Sequence, residues 1–216
     1  AQVEGIFISH EHSDHIAGLQ QLLKRFDIPV YTKQGTWREI QDKLIVPKNQ
    51  LIELTKGSLT LGNLIVEPFA VSHDAADPIG INVFAGKDKA TVVTDTGVVS
   101  DSILRRMDDT TLLVLEANYD PHMLRFGPYQ PFLKQRVASD EGHLSNEMAA
   151  QALLMMNRPD FMQVILAHRS ENNNNAVLVT QTIGKMLVDG GVRIGPEMKL
   201  QHGQPNEIVS MKSVKR

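Results

Sequence analysis

The sequence predicts a mixed α/β fold built in layers, and two kinds of apolar pattern support this. Short runs rich in valine and isoleucine, flanked by turn residues, predict strands; they are "GIFIS", "NLIVEPFAVS", "ATVVTD", "TLLVLEA" and "MQVILAH". Between several of these runs, apolar residues recur at the helical period. Alternation of strands and helices along one chain is typical of sheets covered by helices.

Three stretches carry an apolar face at helical spacing. The first covers residues 16–26 and ends at Phe26, the second covers residues 148–156, and the third covers residues 177–187. The second is rich in methionine and includes Met155, and flexible methionine side chains are well suited to filling a core. We therefore expect the second stretch to fill part of the core.

Composition narrows the possible functions. The 216 residues are 42% hydrophobic, which suits one globular domain with its own core. With a net charge of −3, any nucleic-acid-binding surface must be a local patch. The absence of cysteine removes disulfides, thiolate nucleophiles and cysteine metal ligands, and it fits a reducing cytoplasm. No apolar stretch approaches the roughly 18 residues of a membrane span, so a membrane is not an expected partner.

Histidine or aspartate follows an apolar run in four places. The stretches are "FISHEHSDH", "FAVSHD", "VVTDTG" and "VILAHRS". If these strand ends share one edge of the sheets, their polar side chains converge there, which is the usual way to build a site on a sheet scaffold. The residues brought together would be His10, His12, His73, Asp95 and His168.

The segment "HEHSDH" has the spacing of a metal-binding motif. Residues i and i+2 of an extended chain point the same way, so His10 and His12 can bind one ion. Asp14 and His15 lie beyond a bend into the next helix and can face a second ion. Imidazole and carboxylate ligands together suit zinc, and they also suit iron or manganese.

This motif and the later strand-end residues resemble the metallo-β-lactamase superfamily, and the likeness covers nearly the whole chain from Glu4 onward. The resemblance implies a four-layer αββα sandwich with two divalent metal ions. A water or hydroxide between the ions would be the nucleophile, because metal ions lower the pKa of bound water. The implied ligands are His10, His12 and His73 for one ion and Asp14, His15 and His168 for the other, with Asp95 bridging both.

The start of the chain differs from the superfamily pattern. Members normally have two or more strands and an aspartate-containing turn before the histidine motif, whereas here the motif follows the first predicted strand. We therefore expect residues 1–216 to form a single metallo-β-lactamase-like domain that lacks its N-terminal strands.

Two further residues resemble the proton-donating pair of ribonuclease Z-like nucleases. Glu116 ends a predicted strand in "LLVLEANYD", and His143 precedes a predicted helix in "SDEGHLSNEMAAQ". The resemblance implies that His143, supported by Glu116, protonates the leaving oxygen when a phosphodiester is cleaved. Each residue also has a simpler interpretation. Glu116 would cap a backbone group or pair with an arginine, and His143 would only precede a helix capped by Ser145.

Longer stretches are most similar to the YycJ-type branch of the superfamily, also called the WalJ or VicX branch. These stretches are "SHEHSDH", "LEANYD", "YQPFLKQRVASDEGHLSN" and "AHRSENNN". Bacterial members of this branch are regarded as DNA-directed exonucleases. The resemblance therefore implies a DNA substrate, whereas the composition alone does not.

Candidate substrate contacts rest on less evidence. Arg169 and Ser170 follow the histidine of "AHRS", where they would contact a phosphate or fix the loop. The stretch "NYDPHMLRFGPYQPFLKQR" mixes aromatic and cationic residues, which suits single-stranded nucleic acid. The alternative is a solvated loop with a few buried anchors. The residues concerned are Tyr119, Phe126, Tyr129, Arg125, Lys134 and Arg136.

The leading hypothesis is a dinuclear metal-dependent hydrolase that cleaves phosphodiester bonds, most simply as a DNA exonuclease. A metal-bound hydroxide would attack phosphorus, Asp14 would help to steer it, and His143 would protonate the leaving group. One alternative is a hydrolase of thioesters, lactones or cyclic phosphodiesters on the same fold. Another is a metal-binding regulatory protein without turnover.

Overall fold

The computed structural model describes residues 3–47, 49–55, 57–204 and 207–210. These residues form ten strands and eight helices. The strands are β1 (Ile6–Phe7), β2 (Val30–Thr32), β3 (Leu51–Glu53), β4 (Leu59–Leu61), β5 (Leu64–Ala70), β6 (Ile79–Ala85), β7 (Asp88–Val93), β8 (Leu112–Glu116), β9 (Met162–Ala167) and β10 (Met198–His202). The helices are α1 (Ser13–Ile16), α2 (Leu19–Leu23), α3 (Gln34–Ile40), α4 (Asp101–Met107), α5 (Pro121–Phe126), α6 (Pro131–Val137), α7 (Asn146–Met155) and α8 (Ala176–Asp189).

The strands form two sheets. The smaller sheet has the order β1-β2-β3, and its strands are parallel. The larger sheet has the order β10-β9-β8-β7-β6-β5-β4. Strands β7, β8, β9 and β10 are parallel to one another. In the other half of the sheet each strand from β4 to β7 is antiparallel to the next.

Buried apolar side chains hold four layers together in the order helix, sheet, sheet, helix. The first helices cover one face of the small sheet through Ile8, Ile16, Leu19, Val30 and Ile40. The two sheets meet through Tyr31, Leu54 and Ile79, with Phe7, Leu59, Leu61 and Ile81 partly buried around them. Helices α4, α7 and α8 cover the large sheet through a cluster that includes Val93, Ile103, Leu115, Leu153, Val164 and Ile183. This is the αββα sandwich that the sequence led us to expect.

Capping residues explain where four of the helices begin. A side-chain oxygen at each N-cap accepts a hydrogen bond from the backbone N–H three residues later, which stabilises a helix by about 1 kcal/mol. The cap at Ser145 confirms that "GHLS" does precede a capped helix. The four caps are Ser100, Asp120, Ser145 and Asn175.

The five predicted strands are confirmed as β1, β5, β7, β8 and β9. Five more strands were not predicted. Three of these, β2, β3 and β4, have only three residues each, which is too short for a periodic pattern to be recognised. These short strands form because neighbouring strands pair with them. Their positions therefore depend on tertiary contacts and cannot be recognised from the local sequence.

The predicted helices are present, but parts of their apolar faces are exposed. The first stretch breaks at Gly18 into α1 and α2, and Phe26 lies beyond α2 with 53% of its surface exposed. The apolar face predicted to run through Phe26 therefore does not extend that far, because the chain does not form one continuous helix here. Met155 and Val177, at the last and second positions of their helices, are also exposed. No helix of the described ranges is both long and apolar enough to cross a membrane.

The sheet topology brings the carboxyl ends of four strands to one edge. Strands β7, β8 and β9 are parallel, and β5 runs in the same direction because β6 is antiparallel to both β5 and β7. Glu116 is the last residue of β8, and the segments after β5, β7 and β9 carry His73, Asp95 and His168. The expectation that these strand ends converge is therefore met by the connectivity of the large sheet.

Candidate metal centre

One group of three histidines joins the small sheet to the large one. His10 and His12 follow β1, where the chain is extended before α1 begins, and His73 follows β5. One ring nitrogen from each lies within 4.8 Å of the others. Nδ1 of His12 and Nε2 of His73 are 3.3 Å apart. The first predicted set of ligands is thus brought together.

Hydrogen bonds to the outer ring nitrogens orient these histidines. Nδ1 of His73 is 3.1 Å from the backbone carbonyls of both Glu141 and Gly142, so it carries the proton and leaves Nε2 with a free lone pair. The hydroxyl oxygen of Ser9 lies 3.1 Å from Nδ1 of His10 and 3.3 Å from Nδ1 of His15. A hydroxyl has two lone pairs, so it can accept from both rings.

A second group faces the first across Asp95. Nε2 of His15 lies 3.4 Å from a carboxylate oxygen of Asp14, and Nε2 of His168 lies 3.6 Å from the same oxygen. The two carboxylate oxygens of Asp95 are 3.3 Å from Nε2 of His15 and 3.4 Å from Nε2 of His168. Asp95 also lies 3.8 Å from Nε2 of His73, in the first group. Asp95 therefore stands between the two groups.

The donor atoms fit divalent cations in spacing and in chemistry. Two ligands bound about 2.0–2.1 Å from a tetrahedral zinc lie about 3.4 Å apart, close to the separations seen here. Nε2 of His10 and one carboxylate oxygen of Asp95 are buried without a hydrogen-bond partner among the described residues. Such an atom costs about 1–3 kcal/mol, and a bound cation would satisfy it. The residues at this edge therefore fit a metal centre.

Electrostatics keep His10 and Asp95 in the forms that bind metal. Burial, reinforced by the neighbouring charge of His15, lowers the pKa of His10 to about 3, so its ring is neutral at pH 7. Burial opposes ionisation of Asp95, but the neighbouring rings of His15 and His168 outweigh it and hold its pKa below the usual range. Neutral imidazole and ionised carboxylate are the forms that ligate metal ions.

Two of these residues hold a strained backbone. Asp95 and His168 have φ angles of 56° and 51°, in the left-handed region that non-glycine residues seldom adopt. Asp109, far from this edge in sequence, is the third such residue in the described part of the chain. A strained conformation costs about 1–3 kcal/mol and persists where the surrounding structure imposes it, often at functional sites.

Glu116 is fully buried and connects the ligand group to His143. One of its carboxylate oxygens accepts hydrogen bonds from Nδ1 of His143 at 2.8 Å and from Nδ1 of His168 at 2.7 Å. The other accepts from the backbone N–H groups of Leu144 and Thr96. Although burial favours a protonated carboxyl, the two histidines outweigh it and lower the pKa of Glu116. The sequence paired Glu116 with His143 but did not indicate its second partner, His168.

A cavity of about 990 Å³ opens beside these groups. Its lining includes His143, His168, Arg169 and Ser170, together with Arg136 from α6. One guanidinium nitrogen of Arg169 is buried without a hydrogen-bond partner among the described residues. Three of the four candidate substrate contacts thus line the cavity, and two of them, Arg169 and Ser170, directly follow the proposed ligand His168.

The other two candidate substrate contacts have protein partners. The guanidinium of Arg136 donates two hydrogen bonds to the carboxylate of Asp74, which lies 3.5 Å from Nε2 of His73. Lys134 is outside the cavity lining, and its ammonium donates to the carbonyl of Arg125. The sequence missed Asp74, although its position directly after the histidine of "SHD" could have marked it.

Comparison with known proteins places this geometry in a family. A family model described as a β-lactamase superfamily domain matches residues 1–168. The chain belongs to the β-lactamase superfamily. This superfamily member is 36% identical over 205 residues to exodeoxyribonuclease YycJ of Bacillus anthracis, covering 94% of this chain and 78% of the relative. It is 32% identical over 209 residues to exodeoxyribonuclease WalJ of Streptococcus pneumoniae, covering 94% and 77%.

A solved structure supports the fold of this superfamily member. The metallo-β-lactamase fold protein YhfI from Bacillus subtilis superimposes with a TM-score of 0.65, at 16% identity, over 92% of this chain and 74% of that protein. At this level of identity the likeness concerns the fold alone. The metallo-β-lactamase fold implies binding of divalent metal ions, in agreement with the histidine and aspartate groups at the sheet edge.

Proposed function

We propose that this protein is a metal-dependent exodeoxyribonuclease. The observation that carries the proposal is the shared carboxylate of Glu116, which accepts hydrogen bonds from both His143 and His168. This contact supports a role for His143 in proton transfer beside the proposed metal ligands. The names of the two relatives described above, YycJ and WalJ, support DNA as the substrate.

The proposed ligands divide into two sets. Two divalent ions, which we propose to be zinc, would supply Lewis acidity at the phosphate and an activated water for attack on phosphorus. Asp14 is the most exposed of the ligands, with 64% of its side chain accessible, and would face the attacking water from the cavity side. One set is His10, His12 and His73, and the other is Asp14, His15 and His168, with Asp95 shared.

His143 is the proposed proton donor to the leaving oxygen. Its Nδ1 donates to Glu116, so Nε2 is the ring nitrogen left to hold and release a proton. The ring lines the cavity, and its side chain is 16% exposed, enough to meet a bound substrate. The carboxylate of Glu116 accepts from Nδ1 and so fixes the orientation of the ring, with Nε2 free to take part in proton transfer.

Contacts to the DNA backbone are proposed from the cations of the cavity wall. Arg169 and Ser170 would hold a phosphate next to the cleaved bond, because both line the cavity and one guanidinium nitrogen of Arg169 has no hydrogen-bond partner within the described part of the chain. Arg136 and Lys134 would contribute charge at longer range, since each already has a protein partner. We propose the cytoplasm as the compartment, because the DNA of bacteria such as those of the two relatives lies there.

Degradation of end-labelled DNA tests the proposal. Protein loaded with zinc or manganese is incubated with single- and double-stranded DNA carrying a label at the 5′ or the 3′ end. We expect metal-dependent shortening that a chelator stops and that His73→Ala abolishes. The variant His202→Ala is the control, because its ring contacts Thr180 and is not part of the ligand groups. Zinc-loaded, folded protein that leaves all DNA intact and hydrolyses a thioester or lactone would overturn the proposal.

A further inference from the structure

Helices α5 and α6 form a hairpin that walls one side of the cavity. Tyr129, in the connection between them, and Leu133 and Val137 of α6 line the cavity. A small buried core that includes Leu124 of α5 and Val137 of α6 holds the two helices together. The ammonium of Lys134 also ties α6 to α5 through the carbonyl of Arg125. The hairpin is thus an anchored element with a defined outer face.

Two phenylalanines are exposed on this hairpin. Phe126, at the end of α5, is 67% exposed, and Phe132, at the start of α6, is 70% exposed. Of the seven phenylalanines in the chain, the only other exposed one is Phe26, which lies near the small sheet. Neither ring belongs to the buried core of the hairpin, and the ring of Phe126 contacts only its surface neighbours His122 and Arg125 among the ring contacts of the described residues.

The charge of the hairpin is opposite to that of the whole chain. Residues 121–137 include three permanent cations and no aspartate or glutamate, whereas the chain carries a net charge of −3. The guanidinium of Arg125 lies 5.4 Å from the centre of the Phe126 ring. The charge of Arg136 is balanced by Asp74, so Arg125 and Lys134 remain as the cations that a polyanion would meet.

We propose that Phe126 and Phe132 form a stacking platform for the bases of single-stranded DNA, whose adjoining backbone enters the cavity. This inference rests on the proposed function for the DNA substrate. Aromatic rings beside cations bind single strands because each base offers a flat face for stacking while its phosphate meets the positive charge. In a duplex those faces are covered by neighbouring bases, so the platform selects an unpaired strand over a paired one.

Binding to an uncleavable strand tests the platform independently of catalysis. Fluorescence anisotropy is measured with a labelled phosphorothioate oligothymidylate and, separately, with a phosphorothioate duplex of the same length. The proteins are metal-loaded wild type, Phe126→Ala, Phe132→Ala and the double variant. Stacking of one base contributes about 1–3 kcal/mol, so we expect each ring removed to weaken single-strand binding about tenfold and duplex binding much less.

Three controls make the outcome decisive. Phe26→Ala removes a ring that is also more than half exposed but lies away from the cavity, and it is expected to bind the single strand like wild type. Phe126→Trp and Phe132→Tyr keep a stacking surface, so each is expected to bind the single strand with an affinity close to that of wild type. A double variant that binds the single strand as Phe26→Ala does, or that loses duplex binding equally, would overturn the platform. If the wild-type protein fails to degrade ordinary DNA, the proposed nuclease activity is overturned. The binding measurements then still test whether Phe126 and Phe132 form a stacking platform.

Discussion

The carboxylate of Glu116 accepts a 2.7 Å hydrogen bond from Nδ1 of His168, and the same oxygen also accepts one from His143. Although burial favours a neutral ring, the charge and hydrogen bond of Glu116 outweigh it and raise the pKa of His168 to about 9. A carboxylate behind a metal-binding histidine fixes its tautomer and makes its free nitrogen a stronger ligand. Glu116 therefore couples the proposed metal ligand to the proposed proton donor.

Substitution of Glu116 by Gln is expected to impair metal binding and turnover together. The amide keeps the size of the side chain but loses the charge that orients His143 and His168. Loss of such a supporting carboxylate weakens metal affinity about 10–100-fold. Metal content after dialysis and the rate of DNA degradation are the measurements. Glu67→Gln, on an exposed pair with Arg106, is the control, and full metal content in Glu116→Gln would contradict the coupling.

Substitution of His143 by Ala is expected to separate catalysis from metal binding. His143 is bonded to Glu116 but is not assigned to either ligand set, so the metal content should stay at the wild-type level. Loss of a positioned general acid lowers kcat by about 10²–10⁴-fold. The measurements are the steady-state rates of wild type and His143→Ala on labelled DNA, together with the metal content of both proteins. A His143→Ala enzyme with wild-type kcat would remove His143 from the mechanism.

Removal of metal is expected to lower the melting temperature. Six histidines and three carboxylates meet at one edge of the sheets, and His10 and Asp95 each hold a buried atom without a hydrogen-bond partner among the described residues. A ligand at 100 times its Kd stabilises the folded state by about 2.7 kcal/mol. Thermal unfolding is compared for the chelated protein with and without added zinc. Zinc should raise the melting temperature of His73→Ala less than that of wild type. A wild-type melting temperature that does not change when zinc is added would contradict the metal centre.

The sequence was most informative where function depends on strand ends. His10 and His12 follow one short strand, and Asp95 and His168 follow central parallel strands, so adjacent strands bring together residues far apart in the chain. Apolar runs are visible without a structure, and a histidine or aspartate directly after such a run marks the edge of the sheet. This is why the grouping of the strand-end residues could be predicted from pattern alone.

Other parts of the site depend on contacts that leave no pattern in the sequence. The carbonyls that orient His73 belong to the loop before α7, and any residue type can supply a carbonyl. The pairing of Arg136 with Asp74 joins residues 62 positions apart. Phe132 was not among the predicted substrate contacts, because exposure cannot be read from a single aromatic residue. Tyr119, which was among the aromatic candidates, is buried at 6% exposure.

Gly142 is expected to be intolerant of any side chain. A Cβ there would lie 2.3 Å from the backbone carbonyls of both Arg136 and Val137, which cannot move without displacing the end of α6. Overpacking of this kind costs about 1–3 kcal/mol, and it would shift the carbonyl that holds His73. We therefore expect Gly142→Ala to lower both the urea midpoint and the rate of DNA degradation. Gly184→Ala is the control: its Cβ would meet nothing closer than 3.8 Å inside α8, so stability should rise by about 0.5–1 kcal/mol. Equal urea midpoints for the two variants would contradict this prediction, because they would show that the loop before α7 can move to accommodate a side chain at Gly142.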